Sequence, residues 1–309
     1  MLVILGTGGT IAGQAADAAD NVGYKAGELA VEQLIQAVPS LRTYPLECEQ
    51  VAQLDSKDMD FATWQRLARA VAGHLARPEV QGLVITHGTD TLEETAFFLQ
   101  RLLAPTKPVV LTAAMRPATA LLADGPQNLL DAVRVASLPS ARGVVTVVGG
   151  KVYGSEQVRK VHSYRLDAFA SSDGGQLALV EEGVVRLTGA WPANEAALGL
   201  ASIDRPAELW PRVQIVWNHV GADGCVVDAL LAQGVDGIVV AATGNGTLST
   251  GLEAALRRAS AQGVAVVIGT RCDSGAVIAA PNTQAPWRTA GALSPVKSRI
   301  ELLLALLEV

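Results

Sequence analysis

The stretch Gly82-Leu83-Val84-Ile85-Thr86-His87-Gly88-Thr89-Asp90-Thr91-Leu92-Glu93-Glu94-Thr95-Ala96-Phe97-Phe98-Leu99-Gln100 sets the reading of the whole chain. It opens with a short apolar run, Leu83 to Ile85, too brief for a helix and typical of a buried parallel strand. A polar turn containing Gly88 follows. Thr91-x-x-Glu94 then offers a capping box, and Leu92, Ala96, Leu99 and Leu103 recur at helical spacing. The unit is strand, turn, helix. In open α/β sheets ligands gather beyond the carboxyl ends of the strands, where such turns lie. This turn carries a hydroxyl beside a carboxylate, Thr89 and Asp90, at a helix start that favours negative charge. The same residues would also serve a plain helix cap, so the turn alone leaves both readings open.

The N-terminus repeats the pattern. Met1-Leu2-Val3-Ile4-Leu5 leads into Gly6-Thr7-Gly8-Gly9-Thr10-Ile11-Ala12-Gly13. A dinucleotide fingerprint needs a third glycine where Ile11 stands, followed by a helix, and Gln14 to Gly23 has no helical stripe. A nucleotide site is excluded. A glycine turn remains that allows close backbone approach, presents Thr10 and leads into a segment expected to move, ending at Tyr24.

Two strand-end threonines, one beside an aspartate and one upstream of a tyrosine, give the chain its resemblance to the bacterial L-asparaginases of the asparaginase/glutaminase family. Thr7 to Gly13 and Ile85 to Thr95 carry it. Ala114-Met115-Arg116-Pro117, Asp124-Gly125-Pro126-Gln127-Asn128-Leu129 and Gly244-Asn245-Gly246 support it. The motifs run in order along nearly the whole chain.

At 309 residues, two domains are expected. Ala, Val, Leu and Gly dominate over aromatics, which suits helices packed on a parallel sheet. The formal charge of −6 leaves no basic cluster for nucleic acid. Cys48, Cys225 and Cys272 are scattered, so buried free thiols are expected rather than a disulfide framework or metal site. Four scattered histidines argue against zinc. No apolar run approaches membrane-spanning length, and Met1 sits on the first strand, so a cytoplasmic protein without membrane contact is expected.

The fold class expected is α/β, with a larger N-terminal doubly wound, mainly parallel sheet and a smaller C-terminal α/β domain. Expected boundaries are 1–187 for the N-terminal catalytic domain, 188–212 for a Pro-punctuated linker and 213–309 for the second domain. Helices are expected over Glu28–Val38, Trp64–Leu75, Ala222–Gln233, Leu252–Gln262 and Ser298–Leu307. Strands are expected at Val109–Thr112, Gly143–Val148, Val213–Trp217, Asp236–Val240 and Val264–Ile268. Lys151 to Val180 reads as less regular. Ser56, in Asp55-Ser56-Lys57-Asp58-Met59, reads equally as a turn residue and as a functional one. A lysine in a polar loop, such as Lys160, is ordinarily just solvated. His162 reads as structural or surface.

Hydrolysis of a side-chain amide needs a nucleophile, a base, oxyanion donors and an acid for the departing ammonia. A tyrosine or lysine ordinarily titrates near pH ~10 and must be depressed to act as base. The resemblance implies Thr10 as primary nucleophile assisted by Tyr24, with Thr89, Lys160 and Asp90 as a second hydroxyl–amine–carboxylate set. The residues alone leave either threonine as first attacker. The resemblance also assigns substrate binding to Asp55, Ser56, Gly88, Asp90 and Asn245. Asp90 suits the ammonium; Ser56 and nearby backbone N–H groups suit the carboxylate. No metal or organic cofactor is demanded. A homotetramer built as a dimer of close dimers is implied, Asn245 acting across the interface, although a Gly-Asn-Gly run is on its own simply a turn.

Two departures from the family pattern stand out. Lys57 follows the serine where members of the periplasmic type carry glutamine. No acid lies between Asp273 and Glu301, where those members bring a neighbour's glutamate; Pro281-Asn282-Thr283-Gln284 occupies that region. The expected activity is L-asparagine hydrolysis with weak or no glutaminase activity. A non-catalytic amino-acid-binding protein and the ammonia-supplying subunit of a tRNA-dependent amidotransferase are the competing readings.

Overall fold

A computed structural model describes residues 1–193, 196–278 and 286–308, which divide into two compact units, 1–201 and 202–309. In the first, β1 (Leu2–Gly8) is followed by α1 (Val31–Gln36), β2 (Leu46–Leu54), α2 (Phe61–Leu75), β3 (Gly82–Thr86), α3 (Leu92–Leu103), β4 (Pro108–Thr112), α4 (Gly125–Ala136) and β5 (Gly143–Val148). Then come β6 (Lys151–Gly154), β7 (Val158–Lys160), β8 (Phe169–Ser171), β9 (Ala178–Glu181) and β10 (Val184–Leu187). Eight strands form one sheet in the order β10-β9-β6-β5-β4-β3-β1-β2, parallel from β2 to β5 and antiparallel beyond. β7 and β8 make a separate antiparallel hairpin.

Among the parallel strands, β1, β3, β4 and β5 are fully buried, which is why they read as near-continuous apolar runs, whereas β2 at the sheet edge is only half-buried. Alternate residues serve the two faces. Leu2, Ile4, Val84, Val110 and Val145 share a cluster with Val31 and Leu34 of α1 and Leu129 and Val133 of α4. On α2 and α3, Trp64 and Phe98 stack at 4.6 Å. Phe97 and Phe98 are almost wholly buried, each stabilising the fold by roughly 2 to 3 kcal/mol. The chain runs from β1 to β2 on one side and then to β3 on the other. The strand order therefore reverses at the β1–β3 pair, and a crevice at their carboxyl ends follows from that reversal.

The second unit holds β11 (Val213–Trp217), α5 (Cys225–Ala232), β12 (Gly237–Ala242), α6 (Thr250–Ala261), β13 (Ala265–Thr270), β14 (Arg288–Thr289) and α7 (Pro295–Leu307). Its four strands are parallel in chain order. Val227 of α5 and Leu252, Ala255 and Leu256 of α6 pack on Ile238 and Val240. α7 packs on β11, β12 and β13. The α/β architecture expected from the sequence is present in both units.

Several local expectations need correction. The helix expected from Glu28 begins only at Val31. The N–H groups of Gly27, Glu28 and Leu29 donate to Gly9 and Ala12 carbonyls, which ties that segment to the first turn. The capping box at Thr91 does not form: its hydroxyl donates to the Ser56 carbonyl at 2.8 Å. The stretch 151–180 contains four short strands. The final helix starts at Pro295, capped by Ser294, rather than at Ser298. The thiols are free but not buried. Cys48 is half-buried, whereas Cys225 and Cys272 are exposed, Cys225 in the first turn of α5, where Val227 takes the inward position. Within 188–201, the N–H groups of Thr188 and Gly189 donate to Leu177, and Trp191 joins the core of the first unit.

Candidate active site

Two strand tips meet glycine to glycine. Gly9, after β1, has φ +81°, a region that L side chains rarely adopt, and a Cβ there would stand 2.4 Å from Gly88 Cα. A Cβ on Gly88 would stand 2.4 Å from Ser56 Oγ. Any side chain at either position would push the turns apart. Their contact brings Thr10 and Thr89 to one cleft of about 270 Å³, lined also by Asn21, Val22, Tyr24, Asp55, Ser56, Asp90, Met115, Lys160, Ser163 and Tyr164.

Thr10 opens a short 3-10 turn and is 8% exposed. Its Oγ1 lies 2.7 Å from the Tyr24 hydroxyl. Tyr24 rides on a segment whose ends are joined by the Gln14–Lys25 bridge. Thr89 has a different environment. Lys160 Nζ, at the end of β7, donates to Thr89 Oγ1 at 2.8 Å and to Asp90 Oδ1 at 2.5 Å. Lys160 is largely covered, its side chain 17% exposed, whereas Asp90 is 54% exposed. The Lys160 amine is thus in hydrogen-bond reach of a hydroxyl and a carboxylate at once.

Ser56 is 2% exposed; its Oγ accepts the Asp90 N–H at 3.2 Å and so fixes the second turn. Asp55 caps the 56–58 turn and lies in the cleft wall, its carboxylate 3.0 Å from Lys57 Nζ, which also pairs with Asp58 at 3.0 Å. Asn245 belongs to the second unit. There it lies in a tight turn closed by the Thr243–Thr247 bridge, and its side chain both donates to and accepts from the Ile278 backbone. The stretch Pro281 to Gln284 lies outside the described residues. His162 is a turn residue: its Nδ1 accepts the N–H groups of Tyr164 and Arg165.

The sequence reading missed a buried support beneath Thr89. Trp64 Nε1–H donates to Thr95 Oγ1, the Thr95 hydroxyl donates to His87 Nε2, and His87 Nδ1–H donates to the Gly88 carbonyl. These directions are those of the neutral imidazole with its proton on Nδ1, the form that burial of the ring favours. Complete burial lowers its pKa to about 4. The one signal in the sequence was Thr95, a polar residue on the buried face of α3. Met115, Ser163 and Tyr164 were also not singled out; Ser163 and Tyr164 follow Lys160 by three and four residues. Among the described residues no group of three or more His, Cys, Asp or Glu is placed to hold a metal ion, and no helix is long and apolar enough to cross a membrane.

A doubly wound sheet with paired hydroxyls at its strand reversal is the architecture of an α/β enzyme. Residues 1–192 match the family profile "Asparaginase, N-terminal", and residues 212–308 match the "Glutaminase/Asparaginase C-terminal domain". The chain is 36% identical to "L-asparaginase 2" of Bacillus subtilis (strain 168), over 98% of this chain and 81% of that protein. It is equally identical to the "Glutaminase-asparaginase" of Pseudomonas fluorescens biotype A, over 99% and 86% of the two. A crystal structure described as a "Probable Cytoplasmic L-asparaginase from Campylobacter jejuni" superposes with a TM-score of 0.92 at 36% identity, covering 100% of this chain and 95% of that one. The chain belongs to the asparaginase family.

Proposed function

We propose that the protein hydrolyses L-asparagine to L-aspartate and ammonia, with a threonine as covalent nucleophile. The observation that carries this is the convergence of Thr10–Tyr24 and Thr89–Lys160–Asp90 on one small cleft. Thr10 Oγ1 adds to the side-chain amide carbon as its proton passes to the Tyr24 oxygen and the Tyr24 hydroxyl proton passes on to the amide nitrogen. The C–N bond then breaks, and ammonia leaves an aspartyl ester on Thr10. Water beside Thr89 attacks the ester while Lys160 accepts its proton and Asp90 stabilises the ammonium so formed. The proton returns to Thr10 Oγ1 as aspartate departs. The backbone N–H of Thr89 serves the oxyanion.

Asp90 and Asp55 hold the substrate ammonium, and Ser56 and the turn at Gly88 hold its carboxylate. Asn245 completes the site from a neighbouring subunit in a homotetramer of close dimers, a reading that rests on the family resemblance. The cytoplasm is the expected compartment, in keeping with the name of the Campylobacter jejuni structure. Asparagine is preferred over glutamine, because Lys57 is engaged by two aspartates and the 274–300 stretch carries no acid.

The test is ammonia release by the purified full chain with asparagine and glutamine side by side. Release from asparagine, several-fold faster than from glutamine, is expected. Equal or faster release from glutamine overturns the preference; release from neither overturns the activity.

A further inference from the structure

We propose that Arg116 is a positioning residue, and that its loop is a strap holding both segments that bring chemistry to the cleft. This rests on the function proposed above and goes beyond it. The strap is anchored in the core. The Asp124 carboxylate accepts the N–H of Met115 at 3.0 Å and of Arg116 at 2.9 Å, and also takes Asn128 Nδ2 at 3.1 Å. Asn128 is 2% exposed, and its amide further bonds Ala113 and Gly149. Two polar side chains at the start of α4 thus set the course of residues 113–116.

From that anchor the strap reaches in two directions. Arg116 Nη1 donates to the Tyr164 carbonyl at 2.9 Å, and its guanidinium lies 4.1 Å from the centre of the Tyr164 ring. Tyr164 is in the loop of the β7–β8 hairpin, four residues past Lys160 at the end of β7. The hairpin's last backbone rungs run from the N–H groups of Val161 and His162 to the Ala168 carbonyl, and beyond them Tyr164 is held by His162 and by Arg116. In the other direction, Ala118 N–H donates to Gly13 O at 2.9 Å and Leu121 N–H to Ala18 O at 3.1 Å, while Thr119 Oγ1 accepts Ala15 N–H at 2.9 Å. Those bonds hold the segment that ends at Tyr24. One short loop therefore registers the Tyr24 hydroxyl and the Lys160 amine to the same frame, although Arg116 itself is not part of the cleft wall.

Amide hydrogen exchange on the full chain, read segment by segment, tests this together with kcat and KM. Arg116→Met should speed exchange across 161–168 by about tenfold and leave β3 unchanged. It should lower kcat by about tenfold while KM changes less than about threefold, as expected when a reacting group is misplaced while substrate binding is retained. Arg116→Lys, which keeps a donor for the Tyr164 carbonyl, should recover part of both effects. Tyr164→Phe keeps the ring and the carbonyl, so protection of 161–168 should persist; Tyr164→Ala should lose part of it. Thr119→Val should loosen 14–25 and spare 161–168. Unchanged exchange at 161–168 in Arg116→Met, or exchange faster throughout the molecule, overturns the proposal. The exchange readout needs no turnover, so a protein inactive on asparagine would defeat the proposed function while the strap was still tested on its own terms.

Discussion

The two strand tips of the first unit carry the same residue type to the same cleft and support it in opposite ways. Thr10 follows a turn of glycines, and its hydroxyl meets a tyrosine hydroxyl carried on a fourteen-residue excursion. Thr89 sits on a turn fastened from below by His87, Thr95 and Trp64, from the side by Ser56, and from above by Lys160. One hydroxyl has a partner carried on a loop; the other has partners carried on α2, α3 and the β7–β8 hairpin. The difference suits a division of labour in which the first hydroxyl forms and breaks a covalent bond and the second steers a proton.

The comparison can be broken at several points. Lys160→Met removes the amine from Thr89 and Asp90, and should lower kcat on asparagine by about a thousandfold with the fold intact. If turnover fell less than about tenfold, the Thr89 set would not be catalytic. Acid should act on the buried support. Folded His87 accepts a proton only near pH 4, whereas the unfolded chain accepts one near 6.5. Its contribution is thus complete above pH 6.5 and is lost as the pH falls towards 4, by roughly 3 kcal/mol at 1.36 kcal/mol per unit. Unfolding free energies measured across that range should therefore drop more steeply in the wild type than in His87→Asn; parallel slopes would contradict a neutral His87. Tyr24→Phe keeps the ring but removes the hydroxyl facing Thr10. It should lower kcat by about a hundredfold with little change in stability, because the segment is tied by backbone bonds at Gln14 and Lys25. A smaller loss than that from Lys160→Met is the order expected.

Much of this was legible because it is local. A short apolar run, a glycine turn and an apolar stripe of helical period identify β3, the turn at Gly88 and α3 without any tertiary information, and the same holds for β1. The candidate threonines, Lys160 and Tyr24 came from residue types at strand ends together with the family resemblance. What stayed hidden depends on partners far apart in sequence. Thr91 reads as a capping residue, yet the Ser56 carbonyl, 35 residues upstream, takes its hydroxyl. Glu28 and Leu29 carry helical spacing, yet the Ala12 carbonyl claims their N–H groups. His87 reads as a loop polar residue until Thr95 and Trp64 close over it. Arg116 and Asp124 were visible only as family motifs, because nothing along the chain says that a tyrosine 48 residues later will receive the guanidinium. Cys225 and Cys272 show the converse error: composition suggests burial, yet one falls on the outer side of α5 and the other in the bend after β13, and both are exposed.

The most direct measurement is intact-mass analysis of the protein mixed with L-asparagine and quenched in acid within the first turnover, using Lys160→Met to slow removal of the ester. The expected result is a species heavier by one aspartyl group, mapped by proteolysis to Thr10 and absent from Thr10→Val. An aspartyl adduct found on Thr89 instead, or turnover of asparagine by Thr10→Val at the wild-type rate, would contradict it.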